Sequence, residues 1–310
     1  MKENLVFMFS GQGSQYVGMG KDLYDNYKSA AEIIDRADNI MDFDLKDMMF
    51  NGPEEELNNT KNTQPAIYTV SAAVGAVLKE KGLKAAAAAG HSLGEYSALY
   101  AAGVLSFEDG LKLVRKRGEL MDEADPDGIG TMTAVIGLDA ESVEEVCREV
   151  DGVCQVANYN SPAQVVISGE VGAVEKAENL LDEKGAKRVI SLSVSGAFHS
   201  KLMKPAKEEL KKAIDNVEFK SADLPLIANV TADYVETAAE IKEALIKQLN
   251  SSVRWVETIN RFKDDGYENF VELGPGRVLK GLMRRIDRSL NAYNVEDEKS
   301  LNKTLKKLNK

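Results

Sequence analysis

Residues 85–99 of the chain read AAAAAGHSLGEYSAL, and this stretch indicates both a fold class and a chemistry. Alanine by itself prefers helix, but a sharp turn follows directly, so we predict a strand over Ala85–Ala89 and a new helix over Glu95–Ala102. Between them, residues 90–94 match the G-x-S-x-G elbow, whose turn lifts the Ser92 hydroxyl out of the sheet. The amides at the start of the helix favour negative charge developing beside that hydroxyl.

The same five residues could form only a glycine-bounded structural turn, because so short a pattern arises by chance. The histidine content favours catalysis. A serine nucleophile needs a base, and the chain contains only His91 and His199. His91 adjoins Ser92 in an extended segment, so its side chain should point away from the serine. A lone histidine is more often structural, but elimination leaves His199 as the candidate base.

The remaining pattern predicts an α/β protein with two parts. Leu5–Phe9 reads as a buried strand before a glycine-rich loop, and strands are also expected over 226–229 and 269–273. Helices are predicted over 66–81, 110–123, 201–214 and 240–249. From 131 to 194 the elements follow the order β-α-β-β-α-β, as in ferredoxin-like domains. Its strands are predicted at 131–137, 153–157, 165–168 and 188–194, and its helices at 140–150 and 174–184. We therefore expect a small subdomain at 128–195, inserted into a large α/β domain formed by 1–127 and 196–310.

Composition excludes several classes of protein. The chain has 310 residues with 44% hydrophobic and 29% charged residues, as is ordinary for a globular protein. Its formal net charge of −11 argues against nucleic-acid and anionic-membrane partners. Two cysteines, Cys147 and Cys154, cannot form a disulfide framework or a metal cluster. The first residues lack a secretory signal pattern and no apolar run reaches membrane-spanning length, so we expect a cytoplasmic monomer without a membrane partner.

Short motifs follow one another along the chain. They are residues 9–15 (FSGQGSQ), 89–99 (AGHSLGEYSAL), Arg117-Gly118 with Met121, 158–162 (NYNSP) running on to 166–169 (VISG), 196–200 (GAFHS), Gln248-Leu249 ahead of 253–255 (VRW), and 272–276 (ELGPG). In these motifs the chain resembles the malonyl-CoA:acyl carrier protein transacylases of type II fatty acid synthesis, along essentially its whole length. The resemblance implies a hydrolase-like α/β core with a ferredoxin-like subdomain. The chain departs from the family at Ser10, where proline is common, and at residues 250–252, which lack an expected proline.

Carried over position by position, the resemblance implies the catalytic roles. Ser92 is the nucleophile and His199 is its base. Gln248 orients the histidine, through either its side chain or its backbone carbonyl. Gln12 and Leu93 supply the backbone amides of an oxyanion hole, which act where charge develops and need no side-chain chemistry. As an alternative, Gln12 could be a turn residue or part of a phosphate cradle, although the spacing is not G-x-G-x-x-G.

The resemblance also implies the substrate-binding residues. Arg117 holds the free carboxylate of the substrate, and Met121 and Asn160 line the acyl site. Phe198 resembles the phenylalanine that crowds out an α-methyl branch in malonyl-specific acyltransferases. Each has a structural alternative. The run 115–117 could be a solvated helix face, Phe198 a core residue, and Asn160 a partner for buried backbone groups.

The function implied is transfer of a malonyl group from malonyl-CoA to the pantetheine thiol of acyl carrier protein, through a malonyl-serine ester and without a metal or redox cofactor. The alternatives are a free-standing acyltransferase for a polyketide synthase, a serine thioesterase and a non-catalytic scaffold. A hydrolase is disfavoured because α/β-hydrolases follow the order Ser, acid, His. Here more than a hundred residues follow His199, and the predicted subdomain separates it from Ser92. The intact set of site residues argues against a scaffold.

Overall fold

Two β-sheets and the helices around them make up the protein, in a computed structural model that describes residues 4–125, 127–194 and 196–309. The strands are β1 (Leu5–Phe9), β2 (Ala87–Gly90), β3 (Gly130–Ile136), β4 (Cys154–Ser161), β5 (Gln164–Glu170), β6 (Arg188–Ser191), β7 (Leu226–Ile227), β8 (Tyr234–Val235), β9 (Asn269–Leu273) and β10 (Asn291–Val295). The α-helices are α1 (Lys21–Asn26), α2 (Lys28–Ile40), α3 (Leu45–Asn51), α4 (Glu54–Asn58), α5 (Thr60–Glu80), α6 (Gly94–Ala101), α7 (Phe107–Glu123), α8 (Ala140–Glu149), α9 (Val171–Glu183), α10 (Lys204–Asp215), α11 (Ala238–Gln248), α12 (Trp255–Asp264), α13 (Val278–Ile286) and α14 (Glu298–Leu308). A 3₁₀ turn at Lys201–Met203 leads into α10.

The larger sheet has the strand order β10-β9-β1-β2-β7-β8, and its pairs are parallel except for β7 with β8. Phe9 is in register with both Gly90 and Leu273, so three central strands end at the same edge. Parallel sheets bind ligands at the carboxyl ends of their strands. The loops after β1, β2 and β9 therefore meet where a site is expected.

Helix α6 lies unusually close to strands β1 and β2, and two glycines make this possible. A Cβ atom on Gly90 would lie 1.9 Å from the carbonyl group of Gly94, and one on Gly94 would lie 2.1 Å from the Phe9 carbonyl oxygen. Both contacts are far too short for carbon. The two glycines of the elbow are thus required by the tight passage from strand to helix.

The smaller sheet has the order β4-β5-β3-β6 with antiparallel pairing throughout. Its elements run β-α-β-β-α-β, as predicted, and a separate apolar cluster joins the sheet to α8 and α9 through residues such as Val135, Val143 and Val174. A parallel bridge between Asn158 and Val253 connects this sheet to the rest of the protein. The bridge places β4 beside the segment that follows α11.

The predicted α/β class is confirmed, and the differences lie in the bounds of elements. Helix α5 begins at Thr60, six residues earlier than predicted, and contains Pro65. Proline cannot donate to the Lys61 carbonyl, and Arg115 Nη1 donates to that oxygen instead at 3.0 Å, which removes the penalty of an unpaired acceptor. The predicted strands 188–194 and 226–229 end early, at Ser191 and Ile227.

Several elements were missed, although only the strands carry weak patterns. Helices α12 and α13 are amphipathic, with residues such as Trp255, Ile259 and Phe262 buried at helical spacing, and could have been predicted. Strands β8 and β10 and helices α12 and α13 were not predicted. Strand β10 reads NAYNV, and its polar residues do not resemble a buried parallel strand. Pro126, just before the predicted subdomain, and Ser195, its predicted last residue, lie outside the described residues.

Candidate active site

Ser92 occupies the turn between β2 and α6 in a left-handed backbone conformation, with φ of 51°. His199 also has a positive φ, of 59°. Non-glycine residues rarely adopt this region, and such residues cluster at functional sites, where the surrounding structure holds them in place. Both residues lie at the carboxyl edge of the large sheet or beside it.

Ser92 and His199 are hydrogen-bonded, with 2.7 Å between Oγ and Nε2. The other ring nitrogen, Nδ1, lies 3.0 Å from the Gln248 carbonyl oxygen and 3.1 Å from that of Ser251. Carbonyl oxygens only accept, so Nδ1 carries the proton and Nε2 accepts from the Ser92 hydroxyl. This is the tautomer that can take a proton from serine.

The imidazole is also kept neutral. The pKa of His199 is lowered to about 3, chiefly by burial and then by the positive charge of Arg117, while the hydrogen bonds to the two carbonyls partly oppose the shift. A buried cation beside another cation is unfavourable, which explains the direction. At neutral pH the ring therefore has its Nε2 lone pair available.

Arg117 lies beside the nucleophile and is only 1% exposed. Its Nη2 donates to Ser92 Oγ and to Gln248 Oε1, both at 3.1 Å, and its Nη1 donates to Gln64 Oε1 at 3.0 Å. All three acceptors are uncharged, and within the described ranges Nε is buried without a hydrogen-bond partner. Burial lowers the pKa of Arg117 from its usual value. The site thus contains a desolvated guanidinium suited to an anionic group.

The neighbouring basic residues of α7 behave differently. Arg115 Nε pairs with Glu119 at 2.9 Å, and Lys116 Nζ lies 3.7 Å from the same carboxyl group. The basic run therefore consists of a half-buried Arg115, an exposed Lys116 and a fully buried Arg117. The charge pattern alone did not separate Arg117 from the other two; the family resemblance selected it, and in the structure it is the buried one.

Gln248 contacts the site through both its backbone and its side chain. Its backbone carbonyl accepts from the imidazole of His199. Its Nε2 donates to the Ser92 carbonyl at 2.9 Å and to Glu95 Oε2 at 2.8 Å, while Oε1 faces Arg117. Of the two alternatives left open by the sequence, the structure shows the backbone carbonyl facing the imidazole, whereas the side chain contacts Ser92, Glu95 and Arg117 and not His199.

The amides of Gln12 and Leu93 have no hydrogen-bond acceptor among the residues that the structure describes. The amide of Ser92, by contrast, donates to Asn229 Oδ1 at 2.7 Å. Leu93 precedes the first residue of α6, and Gln12 lies in the loop after β1, where its side-chain Nε2 donates to Thr60 Oγ1 at 3.2 Å. The two free amides belong to the two loops that flank the nucleophile.

The remaining predicted residues lie around this centre. Met121 is buried, and its Sδ accepts from Gln64 Nε2 at 3.1 Å. Phe198 is buried in the main apolar cluster, directly before the candidate base. Asn160 Oδ1 accepts from His91 Nε2 at 2.8 Å. His91 is thus paired away from Ser92, as expected from its place beside it.

Sequence reasoning missed three residues of the site. Gln64 joins Arg117 to Met121, and Asn229 contacts the elbow directly. Glu95, although part of a quoted motif, was given no role. It is 3% exposed, and burial chiefly raises its pKa to about 7, against the hydrogen bonds from Gln248 and Asn229. No local pattern marks Gln64 or Asn229, because both act through contacts distant in sequence.

Comparison with known proteins identifies the family. The protein family described as "acyl transferase domain" matches residues 6–308 of the chain, which is nearly its whole length. The chain belongs to the acyl transferase domain family. The resemblance found in the sequence motifs is confirmed.

Relatives of this acyltransferase share its full extent. A malonyl CoA-acyl carrier protein transacylase of Bacillus subtilis is 49% identical over 300 residues, covering 96% of this chain and 95% of the relative, and one of Haemophilus influenzae is 44% identical over 304 residues, covering 97% of each. An acyl carrier protein S-malonyltransferase from Vibrio cholerae superposes with a TM-score of 0.95 at 43% identity, covering 97% of this chain and 100% of its own. A malonyl-transacylase in complex with a type II PKS acyl-carrier protein gives 0.96 at 42%, covering 98% and 100%.

Two further features of the acyltransferase structure bear on metals and membranes. Within residues 4–125, 127–194 and 196–309, no three or more His, Cys, Asp or Glu side chains are grouped so as to hold a metal ion. In the same ranges no helix is both long and apolar enough to cross a bilayer.

Proposed function

We propose that this acyltransferase transfers a malonyl group from malonyl-CoA to the pantetheine thiol of an acyl carrier protein, in fatty acid biosynthesis. The observation that carries the proposal is the buried Arg117 guanidinium, whose Nη2 is 3.1 Å from Ser92 Oγ. A malonyl thioester has a carbonyl to be attacked and, one carbon further on, a free carboxylate. A nucleophile and a cation this close match those two groups, and the relatives named above carry the same activity.

In the first half-reaction, His199 Nε2 takes the proton from Ser92 Oγ as that oxygen attacks the malonyl thioester carbonyl. The free amides of Gln12 and Leu93 donate hydrogen bonds to the carbonyl oxygen and stabilise the negative charge that develops on it. The carbon–sulfur bond then breaks, and the coenzyme A sulfur leaves with the proton from His199. The result is a malonyl-serine ester and a neutral imidazole.

In the second half-reaction, His199 removes the proton from the pantetheine thiol of the carrier, whose sulfur attacks the ester. The same two amides stabilise the oxyanion, and the proton returns from His199 to Ser92 Oγ as the ester bond breaks. We assign the Gln248 backbone carbonyl to holding the imidazole in the Nδ1-protonated tautomer throughout. The chemistry of both halves is balanced without a metal or redox cofactor.

Arg117 binds the malonyl carboxylate in this proposal. Its Nε has no hydrogen-bond partner among the described side chains. Acylation turns Ser92 Oγ into a weakly accepting ester oxygen, so the Nη2 N–H that donated to it becomes available to the substrate. Nε and Nη2 together then present one edge of the guanidinium to the carboxylate. Gln64 and Gln248 support this orientation from the other side.

We assign acyl selectivity to the apolar residues around this pair. Phe198 precedes the base and would crowd an α-methyl branch, and Met121 limits the space beside Arg117. Asn160 acts indirectly, by holding His91 away from the nucleophile. These roles extend the expectations from the sequence and are testable one residue at a time.

We also propose that residues 128–195 form a ferredoxin-like subdomain inserted between 1–127 and 196–310. The antiparallel order of the smaller sheet and its separate apolar cluster support this division. The enzyme is proposed to act in the cytoplasm. The chain has only two cysteines, Cys147 and Cys154, and so lacks the dense disulfide framework typical of small secreted domains.

A polyketide pathway is the second candidate, because the chain superposes closely on a malonyl-transacylase bound to a type II PKS acyl-carrier protein. The chemistry would be unchanged, and only the carrier would differ. Comparing kcat/KM for a fatty-acid and a polyketide carrier protein distinguishes the two. We expect the fatty-acid carrier to be preferred by at least about tenfold, or about 1.4 kcal/mol in transition-state free energy.

The decisive test uses radiolabelled malonyl-CoA. Wild-type protein should become labelled, release the label rapidly to holo acyl carrier protein and lose it only slowly to water. Ser92→Ala should abolish labelling while the fold is retained, and His199→Ala should slow it by about 10²-fold or more. Malonylated Ser92→Ala protein would contradict the mechanism. Rapid discharge to water, with or without carrier, would identify a thioesterase instead.

A further inference from the structure

Asn229, which follows β7 and is 0% exposed, bridges the two sides of the nucleophile elbow. Its Oδ1 accepts from the Ser92 amide and its Nδ2 donates to the Gly90 carbonyl, both at 2.7 Å. These two groups flank the His91 peptide, at the point where the chain changes from strand to turn. A single carboxamide therefore satisfies one donor and one acceptor of the tight turn.

The backbone of Asn229 is itself held at both polar groups. Its amide donates to Glu95 Oε2 at 3.1 Å, and its carbonyl oxygen accepts from the Arg254 amide at 3.0 Å. The Glu95 carboxyl also accepts from Gln248 Nε2. Every polar atom of Asn229 thus has a partner, so its carboxamide is presented to the elbow in one orientation.

This arrangement affects the nucleophile in two ways. It holds Ser92 in the left-handed conformation that directs Oγ at His199. It also occupies the Ser92 amide, so that the amide of Leu93, one residue later, is the one left free at the helix start. Alternative turn geometries would break both 2.7 Å hydrogen bonds and leave buried groups unpaired, which is costly.

We infer that Asn229 is a positioning residue for the Ser92 nucleophile, acting on every acyl group alike rather than on malonyl selection. The inference rests on the proposed role of Ser92. The role of Asn229 differs from the role proposed for Arg117, because the Asn229 carboxamide contacts only the backbone of the elbow. Loss of Asn229 should therefore reduce serine reactivity itself and leave the preference among acyl groups unchanged.

The test measures serine reactivity with a fluorophosphonate, which needs the activated serine but carries no carboxylate. Asn229→Ala should lower the second-order rate of Ser92 modification by about 10- to 100-fold, the loss expected when a reacting group is misplaced by a fraction of an ångström to one ångström. Malonyl and acetyl loading should fall by the same factor. Rates are measured per folded molecule, well below the Tm of the variant.

The control is Asn294→Ala, which removes another buried asparagine that lies on the outer strand β10, far from Ser92 in sequence. Its side chain also makes two hydrogen bonds, accepting from Lys280 Nζ and donating to Glu296 Oε1. Asn294→Ala should lower Tm without changing the fluorophosphonate rate. A purely structural role for Asn229 would give the same result, with Tm lowered and the rate per folded molecule within about threefold of wild type. That result overturns the inference.

A second variant keeps the test decisive if Asn229→Ala does not fold. Asn229→Asp retains the acceptor for the Ser92 amide, but as a carboxylate it opposes the Gly90 carbonyl, whereas the protonated acid can donate to it as Nδ2 did. The fluorophosphonate rate of the variant, divided by that of wild type, should rise as pH falls from about 8 to 5.5. Over this range Glu95, whose pKa is about 7, titrates in both proteins, whereas His199, whose pKa is about 3, stays neutral and Arg117 stays charged. Burial also lowers the pKa of His91. Dividing by the wild-type rate removes the titration that the two proteins share. A ratio independent of pH overturns the inference.

The wild-type reactions separate this inference from the proposed function. Modification of wild-type Ser92 by the fluorophosphonate without any malonyl loading would refute malonyl transfer while leaving the role of Asn229 to be decided by the variants. A wild-type serine inert to both reagents would overturn both proposals.

Discussion

Replacing Arg117 by alanine should change which acyl group the enzyme prefers. The guanidinium is buried beside Ser92 and faces three neutral acceptors, so its charge is available to a substrate carboxylate. An acetyl group has no carboxylate and gains nothing from this charge. Arg117→Ala should therefore depress malonyl loading strongly and acetyl loading only slightly.

The size of the effect follows from the two hydrogen bonds that one guanidinium edge offers a carboxylate. A hydrogen bond to a charged group contributes about 1.5–3 kcal/mol, so losing two removes about 3–6 kcal/mol, which corresponds to about 10²- to 10⁴-fold in rate. Arg117→Lys keeps the charge but not the planar fork, and we expect an intermediate loss of about 10- to 100-fold. The alanine variant also leaves Gln64 Oε1 without its donor, so stability should fall by about 1–3 kcal/mol.

The assay is single-turnover loading of Ser92 from labelled malonyl-CoA and acetyl-CoA, well below the Tm of each variant. Lys116→Ala is the matched control, because Lys116 directly precedes Arg117 on the same helix, is exposed and lies 3.7 Å from the Glu119 carboxyl group. It should leave the ratio of malonyl to acetyl loading unchanged. If Arg117→Ala lowered both by the same factor, the arginine would be structural and carboxylate recognition would be refuted.

Three further predictions follow from the site and its surface. Phe198→Ser should admit methylmalonyl-CoA, seen as new covalent loading by mass spectrometry, while acetyl-CoA remains a poor donor. If the variant still excluded methylmalonyl-CoA, Phe198 would be a core residue only. Because the pKa of His199 is lowered to about 3, the base stays neutral well below pH 6.5. Single-turnover malonyl loading by Glu95→Gln, which removes the site carboxyl whose pKa is about 7, should therefore stay nearly flat from pH 8 to about 5 and fall only as pH approaches 3. A half-loss near 6.5 in that variant would show an ordinary histidine. The exposed Arg284 and Arg285 of α13 are candidates for docking an acidic carrier, and their reversal to glutamate should raise KM for the carrier, most at low salt, but not for malonyl-CoA. Equal increases in both KM values would contradict docking.

The elements that the sequence predicted well have strong local patterns. The apolar run of β1 was predicted to the residue, and β9 likewise. The two edge strands of the larger sheet were missed, because β10 has two asparagines among its five residues and β8 has only two residues. Such strands form because a neighbour offers backbone partners, as β9 does for β10 through five paired positions. No property of their own sequence indicates that neighbour.

The sequence alone determined the nucleophile elbow, the candidate base and the family motifs. Gly90, Ser92 and Gly94 are close together in the chain, so their shared turn is a local property, and with only two histidines the base could be chosen by elimination. Tertiary structure alone decided how the site is held. Asn229 and Gln248 reach Ser92 across 137 and 156 residues. Contacts of that kind depend on which loops the parallel sheet brings to one edge, and strand order, unlike a local turn, is not encoded in any short stretch of sequence.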